Sequence, residues 1–157
     1  MAKLKPILLV EDNPKDLELT LEAFAEAQLA NDIVVARDGA EALSYLFHED
    51  GQAVSKPTDP KYPAVIILDI KLPKVDGIEV LQRIKANDST RAIPVVMLTS
   101  SKEEQDLVRS YRLGVNAFVV KPVGFKEFFD AIRDIGSFWA ILNEPPPGCH
   151  PRRPRGT

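Results

Sequence analysis

The sequence predicts an α/β fold: a doubly wound parallel sheet of five strands with five helices, three layers in all. Three observations lead there. Five short apolar runs alternate with five segments whose apolar residues recur at three- and four-residue spacing. The runs are nearly all apolar, as in strands buried on both faces, and parallel strands joined through helical crossovers bury both faces. The chain has 157 residues with 45% hydrophobic and 27% charged, enough for one globular domain with a sizeable core and cramped for two.

The first run, Ile7-Leu8-Leu9-Val10, stops at Glu11-Asp12-Asn13-Pro14, where Pro14 belongs in the first turn of a helix. Leu17, Leu21, Phe24 and Ala25 give that helix, residues 14–29, an apolar face. Ile33-Val34-Val35-Ala36 is β-branched, and Asp38-Gly39 opens a helix with Ala42, Leu43, Leu46 and Phe47 on one side. Residues 49–63 have no periodicity and contain Gly51, Pro57, Pro60 and Pro63, a long surface loop of the kind that is often functional or mobile. Ala64-Val65-Ile66-Ile67-Leu68 is the most apolar stretch, hence the central strand, and it ends in Asp69. Asp76 with Glu79 three residues on starts a third helix carrying Val80, Leu81 and Ile84. Residues 93–98 form the fourth strand, ending in Thr99-Ser100-Ser101, and a helix over 102–112 follows. Ala117-Phe118-Val119-Val120 is the fifth strand, ending at Lys121-Pro122, and the last helix covers 125–142. The ordered domain thus spans 1–143. Residues 144–157 make a tail in which five of the 13 prolines fall from Pro145 onward with three arginines, extended or disordered in character.

Charge and composition narrow the function. Lysine and arginine total 20 against 23 acids, a net charge of -3, so no basic surplus points to nucleic acid or an anionic membrane. Cys149 has no partner for an intrachain disulfide, and with only His48 and His150 a cysteine-histidine zinc site is ruled out. A reducing, cytoplasmic setting fits. The run at 7–10 is too short for a signal-peptide core, and no run reaches membrane-spanning length.

In an open parallel sheet the ligand crevice lies at the carboxyl ends of the strands, where the winding reverses. Glu11-Asp12, Asp69, Thr99 and Lys121 end the first, third, fourth and fifth runs and should meet there. Any one of them alone reads as a cap or loop residue. Together they are a constellation. Two carboxylates about 4 Å apart repel by about 4 kcal/mol at an effective dielectric near 20, so three crowded acids call for a cation, and an all-oxygen site that retains waters suits Mg²⁺. A metal beside one carboxylate, an ammonium and a hydroxyl are the parts that steady an in-line phosphoryl transfer, with the carboxylate free to act as nucleophile.

With Leu8-Leu9-Val10-Glu11-Asp12-Asn13, Asp69-Ile70-Lys71-Leu72-Pro73, Asp76-Gly77, Thr99-Ser100 and Lys121-Pro122 in this order, the chain resembles the response regulator receiver domains over residues 5–135. The resemblance implies a flavodoxin-like fold and a phosphoacceptor rather than a turnover enzyme. It implies that Asp69 takes a phosphoryl group from a sensor histidine kinase. Glu11, Asp12, Asp69 and the backbone carbonyl of Lys71 would then hold Mg²⁺, while Thr99 and Lys121 would meet the phosphoryl oxygens. It implies a cis peptide bond before Pro122. It also implies a switch in which Thr99 moves inward and Phe118 rotates behind it, reshaping the face of the fourth helix, fifth strand and fifth helix. Phe118 lacks the hydroxyl of the tyrosine found in many relatives, so its switch is steric; the other reading is an ordinary core aromatic. Lys71 either pairs with the site's carboxylates or the phosphoryl group, or is a surface loop lysine.

On the last helix Phe125, Phe128, Phe129, Ile132, Ile135, Trp139 and Leu142 share a face, and Phe138 and Ile141 lie off it. Phe138, Trp139, Ile141 and Leu142 therefore predict a homodimer interface, against a helix end tucked under the 49–63 loop. This ending resembles stand-alone regulators serving phytochrome-type light-sensing histidine kinases. The competing class is an aspartate-nucleophile phosphatase of haloacid dehalogenase type, which wants an acid where Lys71 stands. There is no Gly-Lys-Ser or Gly-Lys-Thr phosphate loop and no helix-turn-helix segment after Leu142.

Overall fold

The computed structural model describes residues 4–135. The first apolar run is β1 (Ile7–Val10), and all four of its side chains are buried. Successive side chains of a strand point to opposite faces, and accordingly Leu8 and Val10 join one core while Ile7 and Leu9 join another. The remaining strands are β2 (Ile33–Ala36), β3 (Val65–Asp69), β4 (Val95–Thr99) and β5 (Ala117–Val120). All pair in parallel in the order β2-β1-β3-β4-β5. The doubly wound three-layer α/β sheet expected from the alternating runs is therefore present.

The helices are α1 (Pro14–Glu26), α2 (Gly39–Leu46), α3 (Gly77–Ala86), α4 (Lys102–Ser110) and α5 (Phe125–Asp134). α1 and α5 cover one face, where the Phe24 and Phe128 rings lie 4.3 Å apart. α2, α3 and α4 cover the other. Four of the five starts carry a side-chain cap: Asn13 before Pro14, then Asp38, Asp76 and Ser101 each accept an amide hydrogen bond from the first turn that follows. Among the described residues no helix is long and apolar enough to cross a membrane.

Several expected boundaries move. The first helix stops at Glu26 rather than 29, and Ala23 with Thr20, not Ala25, completes its buried face. Phe47 leaves α2 in extended conformation and bridges to Ala53. β4 starts two residues late, because Pro94 has no N–H to give a ladder. α4 ends at Ser110, with Arg112 at φ 53°. α5 ends at Asp134 with Ile135 as its cap. The remainder of the helix expected to residue 142, the interface residues Phe138, Trp139, Ile141 and Leu142, and the proline-arginine tail lie outside the described residues.

The 49–63 loop is tied down rather than loose. Tyr45 donates its hydroxyl to the Lys61 carbonyl and Tyr62 to that of Ser89, each at 2.8 Å. Lys5 donates its ammonium to the Pro57 carbonyl and stands over the Tyr62 ring. Each tie lies near the amino-terminal rim of the sheet.

Candidate functional site

The winding reverses between β1 and β3, and the register there pairs Val10 with Leu68. The next residues, Glu11 and Asp69, are thus neighbours at the carboxyl rim. Asp69 in turn pairs with Leu98 on β4, and Lys121 N–H donates to the Thr99 carbonyl at 2.7 Å. Sequence positions 11, 69, 99 and 121 are carried to one edge by strand register alone. Gly77 fixes the floor: its N–H donates to the Ile70 carbonyl at 2.9 Å, and a Cβ there would collide with the carbonyl of Asp69. Only glycine lets α3 start this close beneath the acid.

Lys121 is the centre of charge. Its Nζ lies 2.8 Å from Asp69 Oδ2, 3.1 Å from Asp16 Oδ2 and 2.9 Å from Glu11 Oε1. The first two are hydrogen bonds. The third is an ion pair out of line for a hydrogen bond, so Glu11 Oε1 is buried with no hydrogen-bond partner, while Oε2 accepts the Asn13 N–H at 3.2 Å. One carboxylate oxygen from each of Glu11, Asp12 and Asp69 falls within 4.8 Å of the others, Asp12 being exposed and the other two buried. A buried carboxylate oxygen without a donor is costly. An oxygen-only trio with such an atom fits a hard divalent cation.

Burial pushes the Asp69 carboxyl up to about 7; Glu11 adds to the rise and Lys121 opposes it. Burial alone would lower the Lys121 ammonium, but its hydrogen bond to Asp69 and the negative charge of Asp69 and Glu11 outweigh it and hold Lys121 above its ordinary value. The Lys121-Pro122 peptide bond is cis, as expected.

The α4 side of the site is wired differently. Thr99 is fully buried, and its hydroxyl accepts a long bond, 3.4 Å, from the Gln105 amide. Lys71 Nζ pairs with Glu104 Oε2 at 3.4 Å, and Glu104 also accepts the Ser100 N–H at 2.8 Å. Lys71 therefore reaches across to α4, where it pairs with Glu104. Phe118 is half-buried, packed on the α2-α3-α4 core, with the Arg109 guanidinium 4.6 Å from its ring centre. Asp16, Glu104, Gln105 and Arg109 were not legible as site residues: a carboxylate in the first turn of a helix is ordinary on dipole grounds, and nothing in the sequence says which strand end it faces.

A family model described as response regulator receiver domain matches residues 7–133. The chain belongs to the response regulator receiver domain family. Among solved structures it superposes on the bacteriophytochrome response regulator AtBRR with TM-score 0.78 and 65% identity, over 91% of this chain and 100% of that one. It is 40% identical to the probable methanogenesis regulatory protein FilR2 of Methanothrix harundinacea, over 89% of this chain and 86% of that protein. It is 39% identical to the response regulator Rcp1 of Synechocystis, over 86% of this chain and 88% of that protein. An Mn(2+)-bound form of Rcp1 has been solved and superposes with TM-score 0.65 at 37% identity, over 94% of this chain and 99% of that one. Receiver domains are signalling proteins that accept phosphoryl groups from histidine kinases, typically on an aspartate, so the phosphatase alternative is set aside.

Proposed function

We propose that Asp69 is the phosphoacceptor of this receiver domain, within a receiver unit of residues 1–143, and that its donor is a phytochrome-type sensor histidine kinase in the cytoplasm. The observation that supports this best is the environment of Asp69. It is buried at the end of the central strand, hydrogen-bonded to Lys121 at 2.8 Å, and set beside a Glu11 oxygen that lacks a donor. Glu11, Asp12, Asp69 and the backbone carbonyl of Lys71 would hold Mg²⁺. The ion supplies charge neutralisation on phosphoryl oxygens. In the transfer an Asp69 oxygen bonds to phosphorus as the phosphorus–nitrogen bond of the donor histidine breaks, and that nitrogen keeps the electron pair. Lys121 stays protonated and donates to a phosphoryl oxygen. Thr99, released from Gln105, supplies its hydroxyl to another, and Phe118 follows, reshaping the α4–β5–α5 surface.

The phytochrome assignment draws on the likeness to the bacteriophytochrome response regulator AtBRR, and a homodimer through Phe138, Trp139, Ile141 and Leu142 on the apolar ending of the chain. No nucleic-acid or membrane partner is proposed. Acetyl phosphate with Mg²⁺ should add the mass of one phosphoryl group to the native chain and none to Asp69→Asn; uptake by the variant would rule out this acceptor. Autophosphorylated phytochrome-type kinase should transfer faster than an unrelated sensor kinase, and light scattering should return twice the chain mass.

A further inference from the structure

An ammonium group has three N–H donors and no acceptor, and three carboxylates surround that of Lys121. Two of them, Asp69 and Glu11, belong to the trio able to hold a cation; Asp16 does not. We propose that Asp16 is a positioning residue for Lys121, the anchor that keeps its ammonium aimed at the phosphoryl group when Asp69 and Glu11 turn to other partners. The inference rests on Asp69 being the phosphoacceptor.

Asp16 is built to stay where it is. It is the third residue of α1, its N–H donates to Asn13 Oδ1 at 3.0 Å, and its carbonyl accepts the buried Thr20 hydroxyl at 2.8 Å. Leu17 beside it is buried in the α1–α5 core, so the helix start cannot turn away. The pair also forms where water is largely excluded: the Lys121 side chain is 15% exposed and that of Asp16 27%. An exposed ion pair would be worth little. Here the alternative for a four-carbon side chain is to wander among rotamers, following whichever acceptor is free.

At rest the ammonium donates to Asp69 and Asp16 and is ion-paired with Glu11. Once a phosphoryl group occupies Asp69, its carboxylate charge is spent in an acyl phosphate, and a cation held by the trio would draw on Glu11. Asp16 keeps its full charge and its place, and holds one N–H so that the other two point inward. In the reaction with acetyl phosphate, an Asp69 oxygen bonds to phosphorus, the bond from phosphorus to the acetyl oxygen breaks, and acetate leaves with the electron pair. No proton crosses to Asp16, which never touches the reacting atoms.

The test compares Asp16→Ala, Asp16→Asn, Lys121→Ala and the Asp16→Ala/Lys121→Ala double variant in the 157-residue chain, with acetyl phosphate at saturating Mg²⁺. Asp16→Ala should phosphorylate about tenfold more slowly, because small misplacements of a positioned group cost rate steeply. Asp16→Asn, whose amide oxygen accepts the same hydrogen bond, should stay within about threefold of native. The double variant should match Lys121→Ala within about twofold, since Asp16 acts only through the lysine. The Lys121 ammonium resonance, seen by nitrogen-15 NMR in the native chain without metal or donor, should broaden away in Asp16→Ala. Equal rates for alanine and asparagine, rates at or above native in the alanine variant, losses that multiply in the double variant, or an unchanged ammonium resonance overturn the proposal. If the native chain takes no phosphoryl group, or Asp69→Asn takes one, the acceptor assignment fails instead, and the two failures are separable.

Discussion

α3 and α4 lie side by side on one face of the sheet and are held by opposite means. α3 buries Gly77, Ile78, Val80, Leu81 and Ile84, and its first residue rests against the carbonyl of Asp69. α4 buries Val108 alone. What fixes α4 is polar: Glu104 with Lys71 and Ser100, Gln105 with Thr99, Arg109 over Phe118. β5 beneath it is also lightly covered, with Val119 its only buried residue. The chemistry is thus mounted on a side that burial makes rigid, and the neighbouring helix is held by contacts that end on the residues expected to move. Apolar contacts break only when the core opens, whereas these polar contacts can be exchanged one for another.

The sharpest way to break that contrast is to truncate each helix in turn. Leu81→Ala should cost about 3 kcal/mol in urea unfolding, Val108→Ala about 1–2, and Leu107→Ala, half-exposed on α4, under about 0.5. Similar losses for Leu81 and Leu107 would show α4 to be held as α3 is. Amide hydrogen exchange in metal-free protein should likewise be faster along α4 than along α3.

A smaller effect isolates the rigid side. The folded chain keeps a proton on Asp69 up to about pH 7 that the unfolded chain releases near ordinary carboxylate values. Folded protein therefore binds more protons between roughly pH 4 and 7, and raising the pH through that window costs stability. Metal-free Asp69→Asn should lose less stability over that range and melt about 4 °C above the native chain at pH 8. A native melting temperature that rises from pH 4 to 7 at the same pace as that of the variant would contradict this. Smallest of all, Arg109→Ala should cost about 0.5–1 kcal/mol through the lost cation–π contact, and its exchange rates should rise over α4 and β5 and not over α3.

Much of this was written in the chain. Apolar runs at 7–10, 64–68 and 93–98 read as strands covered on both sides, and Asn13-Pro14, Asp38-Gly39 and Asp76 marked helix starts because capping is local chemistry. Glu11, Asp12, Asp69, Thr99 and Lys121 were legible because strand ends in a parallel sheet share one rim. Asp16, Gln105 and Arg109 were not, since a helix residue's neighbour depends on how the helix is rotated against the sheet. The 49–63 segment was legible as a loop from its three prolines and a glycine, but the bonds that pin it, donated by Tyr45, Tyr62 and Lys5, were not, because each joins residues far apart in the sequence.

That pinned segment has a practical corollary. Its anchors follow the lower margin of the sheet, preceding β1, β3 and β4, whereas the acids crown the upper margin roughly 15 Å away at strand rise. A fluorophore or affinity handle on Lys56, which points to solvent within it, would ride on a firm mount without intruding on the acidic rim, and the chain offers a ready attachment point for watching the domain at work.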